Sequence, residues 1–273
     1  MKKGVNQLCF PPSLSIQGVL DLARDAGFSG VELSVSEDGE MAYTHAPCDL
    51  SGLSREASVR GLELHSVLTV LHWAHTLSSV DRETRERALA IGTFMIEAAR
   101  NVGADTVLIV PGIADPKVPY RDTYRIAQES LHALSETASD LGVRIGVENV
   151  WNRFLQGPLE MLRFIEEIDS PFVGAYFDVG NVMAMGHPQH WIQVLGSHIV
   201  KVHVKDFAYQ VGNIHGFAYL LHGDVPWVEV LRELKEIGYD DYLTAELSPA
   251  GAFTYRLIRE TSENLSAIIK EGA

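Results

Sequence analysis

Apolar runs of about six residues recur along the whole chain, separated by longer stretches whose apolar positions repeat every three to four residues. Runs of the first kind suit strands covered on both faces, and stretches of the second suit amphipathic helices, so the alternation predicts a parallel sheet with crossover helices. The strand segments are Val5 to Phe10, Gly30 to Val35, Leu62 to Val67, Thr106 to Val110, Arg144 to Asn149, Ala175 to Val179, Val200 to Asp206 and Tyr242 to Ser248. A helical stretch follows each. In the third, Ala88, Ile91, Met95, Ala98 and Val102 form an apolar stripe while Arg85, Arg87 and Glu97 face water. Gly27, Gly61, Gly103, Gly142, Gly196 and Gly238 each stand just beyond such a stretch, where a left-handed cap is wanted, and Pro158 and Pro226 suit first-turn positions.

Eight β/α repeats in 273 residues predict a single (β/α)₈ TIM barrel with residues 1–273 as one domain, because barrels of roughly 250 residues commonly form one unit. An open doubly wound sheet is the rival architecture, but no glycine-rich dinucleotide fingerprint follows the first strand. No Pro/Gly/Ser-rich linker or low-complexity tract divides the chain. The longest irregular segments, Ser36 to Leu50, Thr69 to Val80, Pro111 to Tyr120 and Phe207 to Val225, all follow strands. In a barrel they form the catalytic face.

The outer face of a barrel strand lies under helices and must be apolar, so polar residues of the opposite parity point to the axis. Val143, Ile145 and Val147 oppose Gly146 and Glu148; Ala175, Phe177 and Val179 oppose Tyr176 and Asp178; Val202 and Val204 oppose Lys201, His203 and Lys205; Leu243, Ala245 and Leu247 oppose Thr244, Glu246 and Ser248. Four neighbouring strands thereby send Glu148, Asp178, His203 and Glu246 inward near their C-terminal ends. Three converging carboxylates without a cation would repel one another and lose solvation, at a cost of several kcal/mol. One divalent metal ion removes both penalties, and this mostly hard ligand set suits Mn²⁺ first, then Mg²⁺, with Co²⁺ or Zn²⁺ as other occupants. The competing reading is a buried ion network in which Lys201, Lys205 and Arg144 neutralise the carboxylates.

Supporting positions follow from the same parity. His65, at the end of the third strand, is a candidate to bind a substrate oxygen, unless it is packed against Glu63 or Glu32. Glu32 is placed to orient His65 or another ligand from behind. Lys205 is a candidate for a hydroxyl or phosphate, or for pairing with Asp206 or Glu246, and Asn149 and Asn181 for hydrogen bonds to substrate or to the ligands. In the loop after the third strand, Trp73 offers an aromatic wall beside His72, Ser78 and Ser79, the last of which also suits a helix cap. His187, His190, His215 and His222 have no ligand spacing and are left outside the site.

Charge narrows the partners: 22 Lys and Arg against 36 Asp and Glu give a net charge of −14, which repels polyanions, so no nucleic acid partner is expected. The longest apolar stretches, such as Thr106 to Pro111, fall far short of the roughly 20 residues of a membrane span. Met1-Lys2-Lys3 leads into no signal-like run, and a cytoplasmic protein without a membrane partner is expected. Cys9 and Cys48 lack the paired spacing of a zinc or redox motif and are expected to be reduced thiols outside the site.

At these residues the chain resembles the xylose isomerase-like TIM-barrel superfamily, in its sugar-phosphate isomerase/epimerase branch. The segments are GVEL at 30 to 33, GVENVWN at 146 to 152, YFDVGN at 176 to 181, KVHVKDF at 201 to 207, GDVPW at 223 to 227 and TAEL at 244 to 247. The resemblance implies that Glu148, Asp178, His203 and Glu246 hold the metal and that Glu148 and Glu246 also serve as acid and base. It implies a metal-dependent epimerase or isomerase of a ketose or ketose phosphate, working by deprotonation and reprotonation through an enediolate. The DVGN and HVKD forms look most like pentulose- or hexulose-phosphate 3-epimerases. Free-ketose 3-epimerases commonly carry an arginine shortly after the metal histidine, and Phe207 to Gly216 contains none. Rival functions are a metal-dependent dehydratase of a cyclic polyol or keto-sugar, an abasic-site endonuclease, and a non-catalytic sugar-binding barrel. Outward apolar helix positions allow a homodimer or homotetramer.

Overall fold

The computed structural model describes residues 1–272, apart from the side chains of Cys48 and Asp49, so the expectation for Cys48 lies outside the described residues. Eight parallel strands close into a barrel: β1 (Lys2–Asn6), β2 (Gly30–Val35), β3 (Glu63–Thr69), β4 (Thr106–Ile109), β5 (Arg144–Glu148), β6 (Val173–Asp178), β7 (Ile199–Val204) and β8 (Tyr242–Ala245), with β1 hydrogen-bonded to both β2 and β8. The helices that connect them are α1 (Ile16–Ala26), α2 (Ser51–Ser58), α3 (Arg82–Val102), α4 (Tyr120–Leu141), α5 (Pro158–Ile168), α6 (Pro188–Leu195) and α7 (Trp227–Glu236), and α8 (Thr254–Glu271) follows β8. Among the described residues no helix is long and apolar enough to cross a membrane. The six glycines read as helix stops all have positive φ.

Strand parity runs as the alternation requires. Ile145, Val147, Ala175, Phe177, Val202, Val204, Leu243 and Ala245 join the large apolar core between barrel and helices. Leu68, Leu108, Val110, Val150 and Tyr176 form a separate cluster inside the barrel. Gly146, of inward parity, leaves room for the Tyr176 ring, since a Cβ there would fall 2.9 Å from it.

Three segments differ from expectation. The first strand is Lys2–Asn6, not Val5 to Phe10, because the Asn6 side chain accepts the Leu8 N–H at 2.7 Å and turns the chain into a one-turn 3₁₀ helix at Gln7–Cys9. In β3 the pairing steps from Val31 opposite Leu64 to Glu32 opposite Ser66, so His65 forms a bulge. An extra residue re-aims the side chains beyond it, and Ser66 and Leu68 become the inward positions. Phe207 to Val225 is not wholly irregular: Asp206–Phe207 pairs antiparallel with Phe217–Ala218.

Candidate metal centre

Glu148 and Asp178 are the last residues of β5 and β6, His203 lies within β7 directly opposite Asp178, and Glu246 comes immediately after the last residue of β8. Each offers one ligand atom, and the four atoms lie within 4.8 Å of one another. His203 Nδ1 is the centre of the group, 3.7 Å from Glu148 Oε1, 3.9 Å from Asp178 Oδ2 and 3.8 Å from Glu246 Oε2. It is fully buried and has no hydrogen-bond partner among the described residues. A buried nitrogen left unpartnered costs about 1–3 kcal/mol. Facing three carboxylates, it fits as a ligand to a cation, and the donor set of three oxygens and one nitrogen suits a divalent ion.

The orientation of that nitrogen is set from behind. His203 Nε2 lies 2.7 Å from Glu32 Oε2, the usual carboxylate support of a ligating imidazole. Glu32 also accepts from Asn6 Nδ2 at 3.0 Å, Ser66 Oγ at 2.9 Å and Tyr176 Oη at 2.7 Å. The bulge at His65 is what brings Ser66 to it. Glu32 therefore orients His203 and not His65.

Proton affinities in the cluster diverge. Burial, reinforced by the charges of Glu246 and Asp178, pushes Glu148 up to about 7. Burial also raises Asp178, against the opposing pull of Lys205. For Glu246 burial is outweighed by Lys205 and then His203, which hold it down at about 2. Burial disfavours charge on His203 too, but Glu32 and Glu246 overcome it and raise its affinity well above the ordinary range.

Of the three cations that form a competing ion network in the sequence, Lys205 alone reaches the cluster, donating to Asp178 Oδ2 at 2.6 Å and Glu246 Oε2 at 2.5 Å. Lys201 binds Asp105 at 3.0 Å and Asp241 at 2.5 Å, and Arg144 binds Asp105 at 2.6 Å, at the opposite end of the barrel.

Asn149 and Asn181 do not stand free for substrate. Asn149 exchanges two 2.8 Å bonds with the Asp178 backbone, Asn181 N–H donates to Asp178 Oδ1 at 2.7 Å, and the Asn181 amide donates to Asn149 O at 2.9 Å. The pair clamps the ends of β5 and β6 and fixes the Asp178 carboxylate. His65 is corrected as well: as the third residue of β3 it sits deep, stacked on Tyr242 at 4.1 Å with Nδ1 2.8 Å from Ser66 Oγ. Burial and then Lys201 depress its proton affinity well below the ordinary value. It lines a polar cavity with Lys2, Glu63, Asp105 and Lys201 at the N-terminal end, away from the strand ends that carry the ligands.

Trp73 stands 46% exposed on a one-turn helix, Leu71–Trp73. Other aromatic groups stand beside the cluster. Lys205 Nζ lies 5.1 Å from the Phe217 ring centroid, and Trp151 packs on Phe217 at 5.0 Å. A cavity of about 440 Å³ opens there, lined by Leu8, Lys205, Phe217, Tyr219, Glu246 and Ser248. That volume falls in the small-molecule range of roughly 300–1,000 Å³. Ser79 does not cap α3; Asp81 does, accepting the Thr84 N–H at 2.8 Å. Cys9, excluded on spacing, is next to the site: its thiol donates to Ala245 O at 3.3 Å and accepts the Leu247 N–H at 3.2 Å, bracketing Glu246. Burial pushes that thiol up to about 12.

Residues 20–269 match the family model for xylose isomerase-like TIM barrels. The putative L-ribulose-5-phosphate 3-epimerase SgbU of Escherichia coli K12 is 28% identical over 249 residues, covering 86% of this chain and 85% of its own length. An L-ribulose 3-epimerase structure superposes with a TM-score of 0.84 at 19% identity, covering 99% of this chain and 95% of that one. The IOLI protein, solved with a bound zinc atom, also gives 0.84, at 18% identity, covering 100% of this chain and 99% of that one. At these identities the two structures bear on the fold.

Proposed function

The chain belongs to the xylose isomerase-like TIM barrel family, and on that footing we propose that it is a metal-dependent sugar epimerase or isomerase, acting on a ketose or ketose phosphate. The observation that carries this reading is the buried, partnerless Nδ1 of His203 among three carboxylate oxygens. Glu148, Asp178, His203 and Glu246 would hold one divalent ion, Mn²⁺ or Mg²⁺ by the hardness of the set, and an ion there supplies Lewis-acid stabilisation of negative charge on a substrate oxygen. The name of the SgbU relative supports the substrate class, a ketose phosphate.

The two glutamates are the proton carriers. They come from β5 and β8, so they stand on different sides of a substrate held at the ion and can exchange protons with opposite faces of it. One of the two takes the proton from the carbon beside the carbonyl. The other returns a proton to the opposite face, inverting that carbon.

The test is exchange in heavy water over a panel of ketoses and ketose phosphates with Mn²⁺ present. Wild type is expected to incorporate deuterium at one carbon, and Glu148→Gln and Glu246→Gln each to lose at least about 10²-fold of that rate. Full exchange in either variant overturns the assignment. A product lighter by one water would make the enzyme a lyase instead.

A further inference from the structure

Lys205 lies two residues beyond His203, and its ammonium bridges Asp178 Oδ2 at 2.6 Å and Glu246 Oε2 at 2.5 Å. These are the same oxygens that stand 3.9 and 3.8 Å from His203 Nδ1. The other Asp178 oxygen, Oδ1, is already engaged by the Asn181 N–H, and Oδ2 is the one that faces the His203 nitrogen. Any ion touching both oxygens is therefore beside the ammonium or in its place, and like charges that close repel strongly where water is scarce. The lysine has somewhere to go. It lines the 440 Å³ cavity, and its Nζ already stands over the Phe217 ring at 5.1 Å, a face that can keep hold of an ammonium group that gives up its carboxylates. Gly180 leaves the stem its path, since a Cβ there would fall 2.5 Å from Lys205 Cγ.

We propose that Lys205 is a built-in rival of the ion: it neutralises Asp178 and Glu246 before uptake and gives up those oxygens as the ion takes them, drawing back into the cavity on the Phe217 ring that it already faces, so that the lysine sets the ion affinity together with the ligands. This rests on the ion site proposed above. Removing the ammonium should leave the carboxylates free to bind the ion more tightly, and should make the chelator-treated protein less stable.

The experiment is calorimetric titration of chelator-treated full-length protein with Mn²⁺ alone at pH 7.5, together with melting temperatures before and after Mn²⁺. Lys205→Gln and Lys205→Met are expected to bind Mn²⁺ at least about tenfold more tightly than wild type and to show a larger Mn²⁺-induced rise in melting temperature. Phe217→Leu, which changes no ligand and removes the receiving ring, is expected to bind several-fold more weakly, and it serves where the lysine variants do not fold. If wild type takes up no Mn²⁺, the ion site falls and this inference with it. If wild type binds Mn²⁺ and these substitutions leave its affinity unchanged, or the lysine variants bind more weakly, the site stands and the rivalry is overturned.

Discussion

A carboxylate at the centre of a barrel is tolerable only when its lone pairs are claimed, and Glu32 accepts from Asn6, Ser66, Tyr176 and His203 together. Its effect on chemistry runs through the His203 ring, which it holds with Nδ1 toward the other carboxylates. Glu32→Gln keeps the shape, replaces one acceptor oxygen with a donor NH₂ and is expected to weaken Mn²⁺ binding about 10- to 100-fold; wild-type affinity in that variant would remove Glu32 from the orienting role. Proton competition adds a pH dependence. Glu148 titrates at about 7, and its proton must leave before an ion can bind. Mn²⁺ affinity should therefore rise with pH, about fivefold from pH 6 to 7 on the Glu148 proton alone, and go on rising above 7 because the proton that Glu32 and Glu246 hold on His203 must leave too, which titrations at four pH values would check. The four inward residues were legible because a strand alternates with period two. Cys9 was not, because it acts after β1 has ended, where no periodicity tells which group a thiol meets.

Among the elements, the segment after β7 depends on one buried side chain. Asp206 accepts from the backbone N–H of Phe207, Leu221 and Val225 and from Trp227 Nε1, at 2.9 to 3.1 Å, and thereby ties the start of α7 to the ribbon that carries Phe217. Gly223 packs against this carboxylate so closely that a Cβ would collide with it. Asp206→Ala would strand these donors together, and a loss of about 3–5 kcal/mol in unfolding free energy is expected by denaturant titration; a loss under about 1 kcal/mol would show that water replaces the carboxylate. The helices and most strands of this fold could be read from the sequence to within a few residues, since periodicity and glycine stops mark them. The ribbon, the bulge at His65 and the turn after Asn6 could not. Each is decided by a particular side chain or pairing step, and His65 was misplaced for that reason.

At the scale of the whole molecule, the alternation of eight repeats determines the closed barrel, and closure places the β5 to β8 ends side by side. That is why residues as far apart in the chain as Glu148 and Glu246 converge. Charge is separated along the axis: Lys201, Arg144, Asp105 and Asp241 pair at the N-terminal end, and the ligand cluster occupies the other. The apolar cluster inside the barrel is rooted mainly in other strands than the ligands. Leu68, Leu108, Val110 and Val150 come from β3, β4 and the turns after β4 and β5, while the ligands come mainly from the far side of the ring. The cavity beside the ligand cluster has Leu8, Phe217 and Tyr219 on its wall together with Lys205 and Glu246, so whatever lies in it meets carbon and charge at once. Selectivity among guests can then be reshaped at Leu8 and Tyr219, which carry none of the four candidate ligand atoms.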